Sequence, residues 1–257
     1  MSSGLVWIYV VAIFVVPFVA TILTIMFGEM MGRRHVKRNG ALDEGSISTV
    51  VGAAMALLAF LLAFTFQIVS DRLDTRRQLL LDDVTTIRTT SLRAGLLPEP
   101  YRTRSRTLLK EYVDLRVQLA GDVSKTQAVI ARSHAIADTL WTFSEELSAL
   151  DRSSESYSLY ISSTNDLIEI LNKRITMGLE YRIPETILWV LFAISTATML
   201  GLGFQFGTKG TGSMKLYIFW SVVFACVVWL IFILDRPETG MVRLSQEAVF
   251  KLQEELR

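Results

Sequence analysis

Apolar and polar residues along the 257-residue chain fall in long separate blocks rather than alternating. Four uncharged, largely apolar runs stand out, at residues 5–27, 47–70, 186–206 and 216–234. About 20 apolar residues in a helix, at roughly 1.5 Å each, match the roughly 30 Å hydrocarbon core of a bilayer. In lipid the backbone must pair internally, so each run predicts a helix. The third run follows Pro184-Glu185. Proline suits a first helical turn because its missing N–H had no helical partner, and the carboxylate suits the positive end of the helix dipole. The first run lacks a preceding Lys or Arg and exceeds the length of a signal-peptide core, which predicts an anchor.

Residues 71–184 are polar and carry helical rather than strand periodicity. Leu73, Leu80, Val84 and Ile87 continue the second run as a helix beyond the membrane. After a break at Pro98 and Pro100, three apolar stripes follow: Leu108, Tyr112, Leu115, Leu119; then Val129, Ile136, Leu140, Phe143, Leu147; then Tyr157, Tyr160, Ile168, Leu171, Ile175. Breaks are predicted at 120–122 and 151–154. Amphipathic helices need partner faces, so these segments should form a bundle. The predicted fold is an all-α membrane protein of four transmembrane helices, with a polar helical bundle inserted between the second and third. Its expected divisions are residues 1–70, 71–184, 185–234 and a polar C-terminal tail at 235–257.

Composition narrows the function. Lys and Arg number 26 against 25 Asp and Glu, with no basic stripe, so a nucleic-acid partner is not expected. Cys226 has no intrachain partner, and His35 and His134 lie in unrelated segments. No nucleophile–base pair or metal-ligand spacing is visible, so neither catalytic residues, metal nor cofactor are expected. Arg33, Arg34, Lys37 and Arg38, read as part of a solvated loop, and Lys209 and Lys215 lie on one side of the membrane. Positive charge in short loops stays in the cytoplasm, which places both termini and residues 71–184 outside it.

The second run carries Ser48, Gly52, Ala56, Ala59, Ala63, Gln67 and Ser70 at steps of 4, 4, 3, 4, 4 and 3, all on one helical face. Small residues permit close helix approach in a bilayer, and the same face could line a narrow pore. Ala193, Ala197 and Gly201 repeat the theme in the third run. None of the four runs contains Asp, Glu, Lys, Arg or His, which argues against a proton relay.

Where the second run ends the residues become distinctive. Phe64-Thr65-Phe66 leads to Asp71-Arg72-Leu73-Asp74-Thr75-Arg76-Arg77, then Leu96-Leu97-Pro98-Glu99-Pro100-Tyr101-Arg102, with Asp235-Arg236-Pro237-Glu238-Thr239-Gly240 after the last run. Over roughly residues 45 to 250 the chain resembles the bacterial bestrophin-like family of membrane proteins, for which a distant relation to bestrophin anion channels has been proposed. In bestrophins five subunits surround a pore lined by the second membrane helix, with the helical region cytosolic, opposite to the side the charge count gives here. The resemblance implies a homo-oligomer in the bacterial inner membrane that passes inorganic anions. Asp71, Arg72, Asp74, Arg76 and Arg77 lie within two helical turns, and Asp235 and Arg236 reach the same membrane face. They form either an ion-pair network fixing helix ends or a charged pore vestibule. The alternative function is a non-conducting sensor or scaffold that binds a ligand or partner through residues 71–184.

Overall fold

The computed structural model describes residues 3–40, 44–121, 125–179, 184–235 and 245–256, and every regular element among them is an α-helix. In chain order these are α1 (Ser3–Asn39), α2 (Glu44–Ala94), α3 (Tyr101–Gly121), α4 (Thr126–Leu150), α5 (Glu155–Leu179), α6 (Glu185–Lys209), α7 (Met214–Asp235) and α8 (Glu247–Glu255). They divide into two compact units. One holds α1, α2 as far as Leu73, α6 and α7. The other holds α2 from Asp74 onward, α3, α4, α5 and α8.

Two helix ends depend on glycine. Gly40, at φ 83°, sends its N–H back to the Val36 carbonyl at 3.0 Å and stops α1. Gly210, at φ 65°, does the same for α6 through the Phe206 carbonyl. Only a residue without Cβ adopts this left-handed geometry cheaply. The basic segment at residues 33–38, expected as a loop, is therefore a correction: it forms the last turns of α1. Arg and Lys are good helix formers, and cations complement the negative end of the dipole. His35 sits with its ring edge-on to Phe204, 5.9 Å between centroids.

The membrane unit wears its apolar residues outside. Val11, Val15, Val16 and Leu23 of α1, Trp189 and Phe192 of α6, and Phe219 and Val222 of α7 are all exposed. A water-soluble surface does not carry apolar patches on this scale, and four helices are long and apolar enough to cross a bilayer. Hydroxyls in these helices turn back onto their own backbone, as Thr21 donates to the Pro17 carbonyl at 2.7 Å and Thr65 to that of Leu61 at 2.7 Å.

The closest packing in this unit is between α1 and α6. Gly28 and Gly32, one turn apart on α1, meet Gly203 and Gly207, one turn apart on α6. A Cβ on Gly28 would strike the Leu200 carbonyl, and one on Gly203 would strike the Ile25 carbonyl. Paired G-x-x-x-G motifs in two apolar helices give this backbone-to-backbone contact. Beside it, Glu29 accepts hydrogen bonds from Arg33 at 2.5 Å and from the Tyr217 hydroxyl. A side chain at Gly212, in the turn between α6 and α7, would collide with that carboxylate. The small residues Ala193 and Ala197 of α6, singled out from the sequence, are exposed instead.

In the second unit the core gathers Leu80 and Ile87 of α2, Leu109, Tyr112 and Val113 of α3, Ile136, Leu140 and Phe143 of α4, Leu167 and Leu171 of α5, and Val249 and Leu252 of α8. The α4 stripe falls where periodicity put it. That of α3 is rotated by about one residue, so Leu109 and Val113 are buried whereas Leu108 and Leu115 are only partly so. Residues 247–255, within the segment expected as a polar tail, form α8 and close this core. Between α4 and α5, Asp151 accepts from the Ser153 N–H at 2.9 Å and hydroxyl at 2.7 Å, which ends α4 at the expected place.

The glycine contact yields the first prediction. Gly203→Leu should lower stability by roughly 3 kcal/mol, on the order of 10 °C in Tm, because its walls are backbone and cannot give way. Ala193→Leu, on the exposed face of the same helix, should leave Tm within a degree or two of wild type, as a surface change does, about 0.5 kcal/mol at most. Equal Tm values for the two variants would refute the contact.

Candidate functional site

At about 100° per residue the membrane part of α2 shows three faces roughly 120° apart. The first is buried against its own unit: Val51, Leu58, Thr65 and Val69 are 6%, 4%, 3% and 0% exposed. The second is the small-residue face. Gly52, Ala56, Ala59, Ala63 and Gln67 are exposed, while Ser48 and Ser70 are half-buried. A Cβ added at Gly52 would meet nothing within 4 Å. The third is bulky and equally uncovered: Val50, Leu57, Phe60 and Phe64, the two rings stacked at 6.5 Å. Among the described residues no helix makes the close backbone approach to α2 that α6 makes to α1.

The polar ends of the small-residue face are tied down. Ser48 accepts from Gln205 and from Lys209 of α6, both at 2.9 Å. Gln67 donates to Asp71 at 2.7 Å, one turn further along α2.

The expected charge cluster divides into separate contacts. Arg72 reaches Asp235 at the end of α7, Nη1 to Oδ1 3.7 Å. That is Coulombic contact beyond hydrogen-bond length, and both atoms are buried with no hydrogen-bond partner. Asp74 pairs with Arg77 at 3.2 Å, both exposed. Arg76 turns to the Met177 carbonyl of α5 at 3.4 Å. Arg236 lies outside the described residues.

Sequence reasoning missed a second polar cluster. Asp83 of α2 is wholly buried and receives Arg116 Nε at 3.1 Å, Arg174 Nη1 at 2.8 Å and the Tyr112 hydroxyl at 3.3 Å. Burial, and then the neighbouring Asp83 carboxylate, push the Tyr112 hydroxyl far above the ordinary phenol range. Burial, and then Arg174, push Arg116 below the ordinary guanidinium range. Two cations on one anion join three helices. Each lies on an apolar stripe, Asp83 between Leu80 and Ile87, Arg116 one turn beyond Tyr112, Arg174 three residues after Leu171. A charge at a core position was the available signal. Among the described residues no group of three or more His, Cys, Asp or Glu is placed to hold a metal ion.

The Bestrophin-like domain family matches residues 14–249, which takes in all four membrane helices and both units. The chain belongs to the bestrophin-like family. That match begins earlier than the resemblance drawn from motifs, which started near residue 45. No curated protein matches the chain. Among solved structures it is similar to a bacterial bestrophin homologue from Klebsiella pneumoniae. One variant of that protein is 16% identical, with 94% of this chain and 97% of the other covered at a TM-score of 0.65. Another is 15% identical, with the same coverage and a TM-score of 0.68. A protein described only as a membrane protein is 16% identical over 95% of this chain and 96% of its own, TM-score 0.66. At these identities the likeness establishes a shared fold.

The buried cluster of this bestrophin-like chain gives the second prediction. Asp83→Ala strands the buried Arg116 and the half-buried Arg174 guanidinium groups and should cost about 3–5 kcal/mol of stability. Asp82→Ala, next in sequence and accepting only from Gln78 on its own helix, should cost under about 1 kcal/mol. Thermal unfolding of the purified proteins compares them, and similar losses would show that Asp83 is not the anchor.

Proposed function

We propose that the protein is an oligomeric, anion-preferring ion channel of the bacterial inner membrane, with α2 of each subunit lining the pore. The observation that carries this reading is that α2 leaves two of its three faces uncovered across the membrane while its third grips its own subunit. The kinship with bestrophins, an anion-channel family, supplies the class. In a ring of such helices the bulky flank of one subunit, at Val50 and Leu57, meets the small flank of the next, at Gly52 and Ala59. Ala56, Ala63 and Gln67 then border the lumen, and Phe60 beside them forms an apolar constriction of the kind that gates by dewetting. At the pore mouth the exposed Arg77 guanidinium raises the local anion concentration. Arg72 and Arg76 hold helix ends through Asp235 and Met177.

One observation favours a second reading, a non-conducting sensor or scaffold. α2 runs unbroken from Glu44 to Ala94, so displacement of its polar end could be transmitted along the helix.

In planar bilayers the purified protein should carry current. With Cys226→Ala as background, a negatively charged thiol reagent should block variants with cysteine at Ala56 or Ala63 and spare one at Val11, on the exposed face of α1. Arg77→Gln should reduce anion current and anion preference at low salt and matter less at 0.15 M, where screening acts over about 8 Å. Arg152→Gln, in the turn between α4 and α5, should leave selectivity unchanged. A folded oligomer silent under every ion and voltage would reject the channel and leave the sensor.

We also propose that residues 71–184 lie outside the cytoplasm, as the basic end of α1 together with Lys209 suggests. A cysteine at Ser153 should react with an impermeant maleimide in intact spheroplasts, and one at Asn39 only after lysis. The reverse pattern would invert the topology.

A further inference from the structure

The glycine contact joins α1 and α6 at Gly28, Gly32, Gly203 and Gly207, toward one end of the two parallel helices. Between them, with α7 as the back wall, lies a cleft of about 720 Å³. Pro17 stands on the α1 side, Leu188 and Phe192 on α6, and Phe224 and Phe232 on α7. From Glu185 to Met199 its α6 wall runs fourteen residues, about 21 Å. One leaflet of hydrocarbon is roughly 15 Å deep.

The hydroxyls along the wall are committed elsewhere. Thr21 and Thr24 donate to the carbonyls of Pro17 and Ala20, and Ser195 and Thr196 to those of Leu191 and Phe192. The surface facing the cleft is therefore mainly methyl, methylene and aromatic, and its hydroxyl protons are not available to an occupant. The one charged group in the lining is the Glu185 carboxylate, at the first turn of α6, where a lipid headgroup would sit. Trp189, exposed one turn further in, is the residue type that anchors at the membrane–water interface.

We infer that this cleft is a binding site for one acyl chain of a bilayer phospholipid whose headgroup carries a primary ammonium, held at the mouth by Glu185. The volume lies in the range of sites that enclose a small molecule, roughly 300–1,000 Å³, and the wall is long enough for a chain from one leaflet. The carboxylate disfavours an anionic headgroup and accepts hydrogen bonds from an ammonium. This site is separate from the α2 faces and does not depend on whether the protein conducts.

The test uses the full chain reconstituted in nanodiscs of phosphatidylethanolamine or phosphatidylglycerol, extracted into mild detergent and weighed by native mass spectrometry. Wild type should retain lipid, with phosphatidylethanolamine favoured. Thr196→Trp fills the cleft and should cut retained lipid roughly tenfold, as the loss of about two buried methylenes implies. Val223→Trp, on the exposed face of α7, should not. Glu185→Gln should retain lipid but lose the headgroup preference. Should Thr196→Trp fail to fold, Ala20→Phe narrows the same cleft from α1. Retention unchanged by filling, or no headgroup preference in wild type, overturns the proposal. So does efficient crosslinking between copies through a cysteine at Thr196, which would make the occupant a second chain.

Discussion

The backbone contact between α1 and α6 at Gly28, Gly32, Gly203 and Gly207 is the constraint from which the membrane unit follows. Lipid gives apolar side chains no reason to prefer one another over acyl chains, so helix association rests on packing distance. Four glycines bring two backbones together where any Cβ would meet a carbonyl, and no other helix pair in the unit comes so close. With α1 and α6 joined, α7 settles against α1 through Tyr217 and Glu29, and the turn between α6 and α7 is kept free of a side chain at Gly212 by that same carboxylate. The hydrophobic cluster of Ile25, Val51, Leu58, Met199, Leu202 and Tyr217 then forms where α2 joins.

α2 is held differently. It meets its own unit through long side chains on one face and through polar contacts at Ser48 and Arg72. A helix gripped along one stripe and bare on the other two is unfinished as a monomer, because small residues on an exposed face gain nothing from lipid. That is the physical content of the assembly proposed here: the small face has value only against another backbone or around a lumen, and none of this chain's own helices fills either role.

Much of this was legible in the sequence. Four uncharged runs about as long as the hydrocarbon core is thick left no other secondary structure open, and α6 and α7 follow their runs closely. The helix ends around residues 98–100 and 151–154 were written in proline and Asx chemistry. What escaped was information carried by pairs. Gly28 and Gly32 lie past the last strongly apolar stretch of α1, and their meaning depends on Gly203 and Gly207, some 175 residues away. The small-residue pattern in α2 was longer and drew attention first, yet within the chain it is the one left unused. The basic residues 33–38 look like a loop by composition and are helical because Gly40, not their charge, sets the end of α1. In α3 the apolar stripe was placed one residue off because Arg116 occupies a core position, and periodicity of apolar residues alone discounts a buried arginine.

The two buried charge sites differ in a way that bears on what each can do. Around Asp83 every buried partner is within hydrogen-bond reach, and three helices converge on one carboxylate. Such a site is costly to break and suited to holding a bundle in a single arrangement. Between Arg72 and Asp235 the charges face each other at 3.7 Å with two buried atoms unpaired, so desolvation is incurred without the hydrogen bond that normally offsets it. That pairing therefore returns less stabilisation than the hydrogen-bonded one at Asp83. The contact joins α2 to the end of α7, a weaker charged attachment of that helix than the one Asp83 makes further along it.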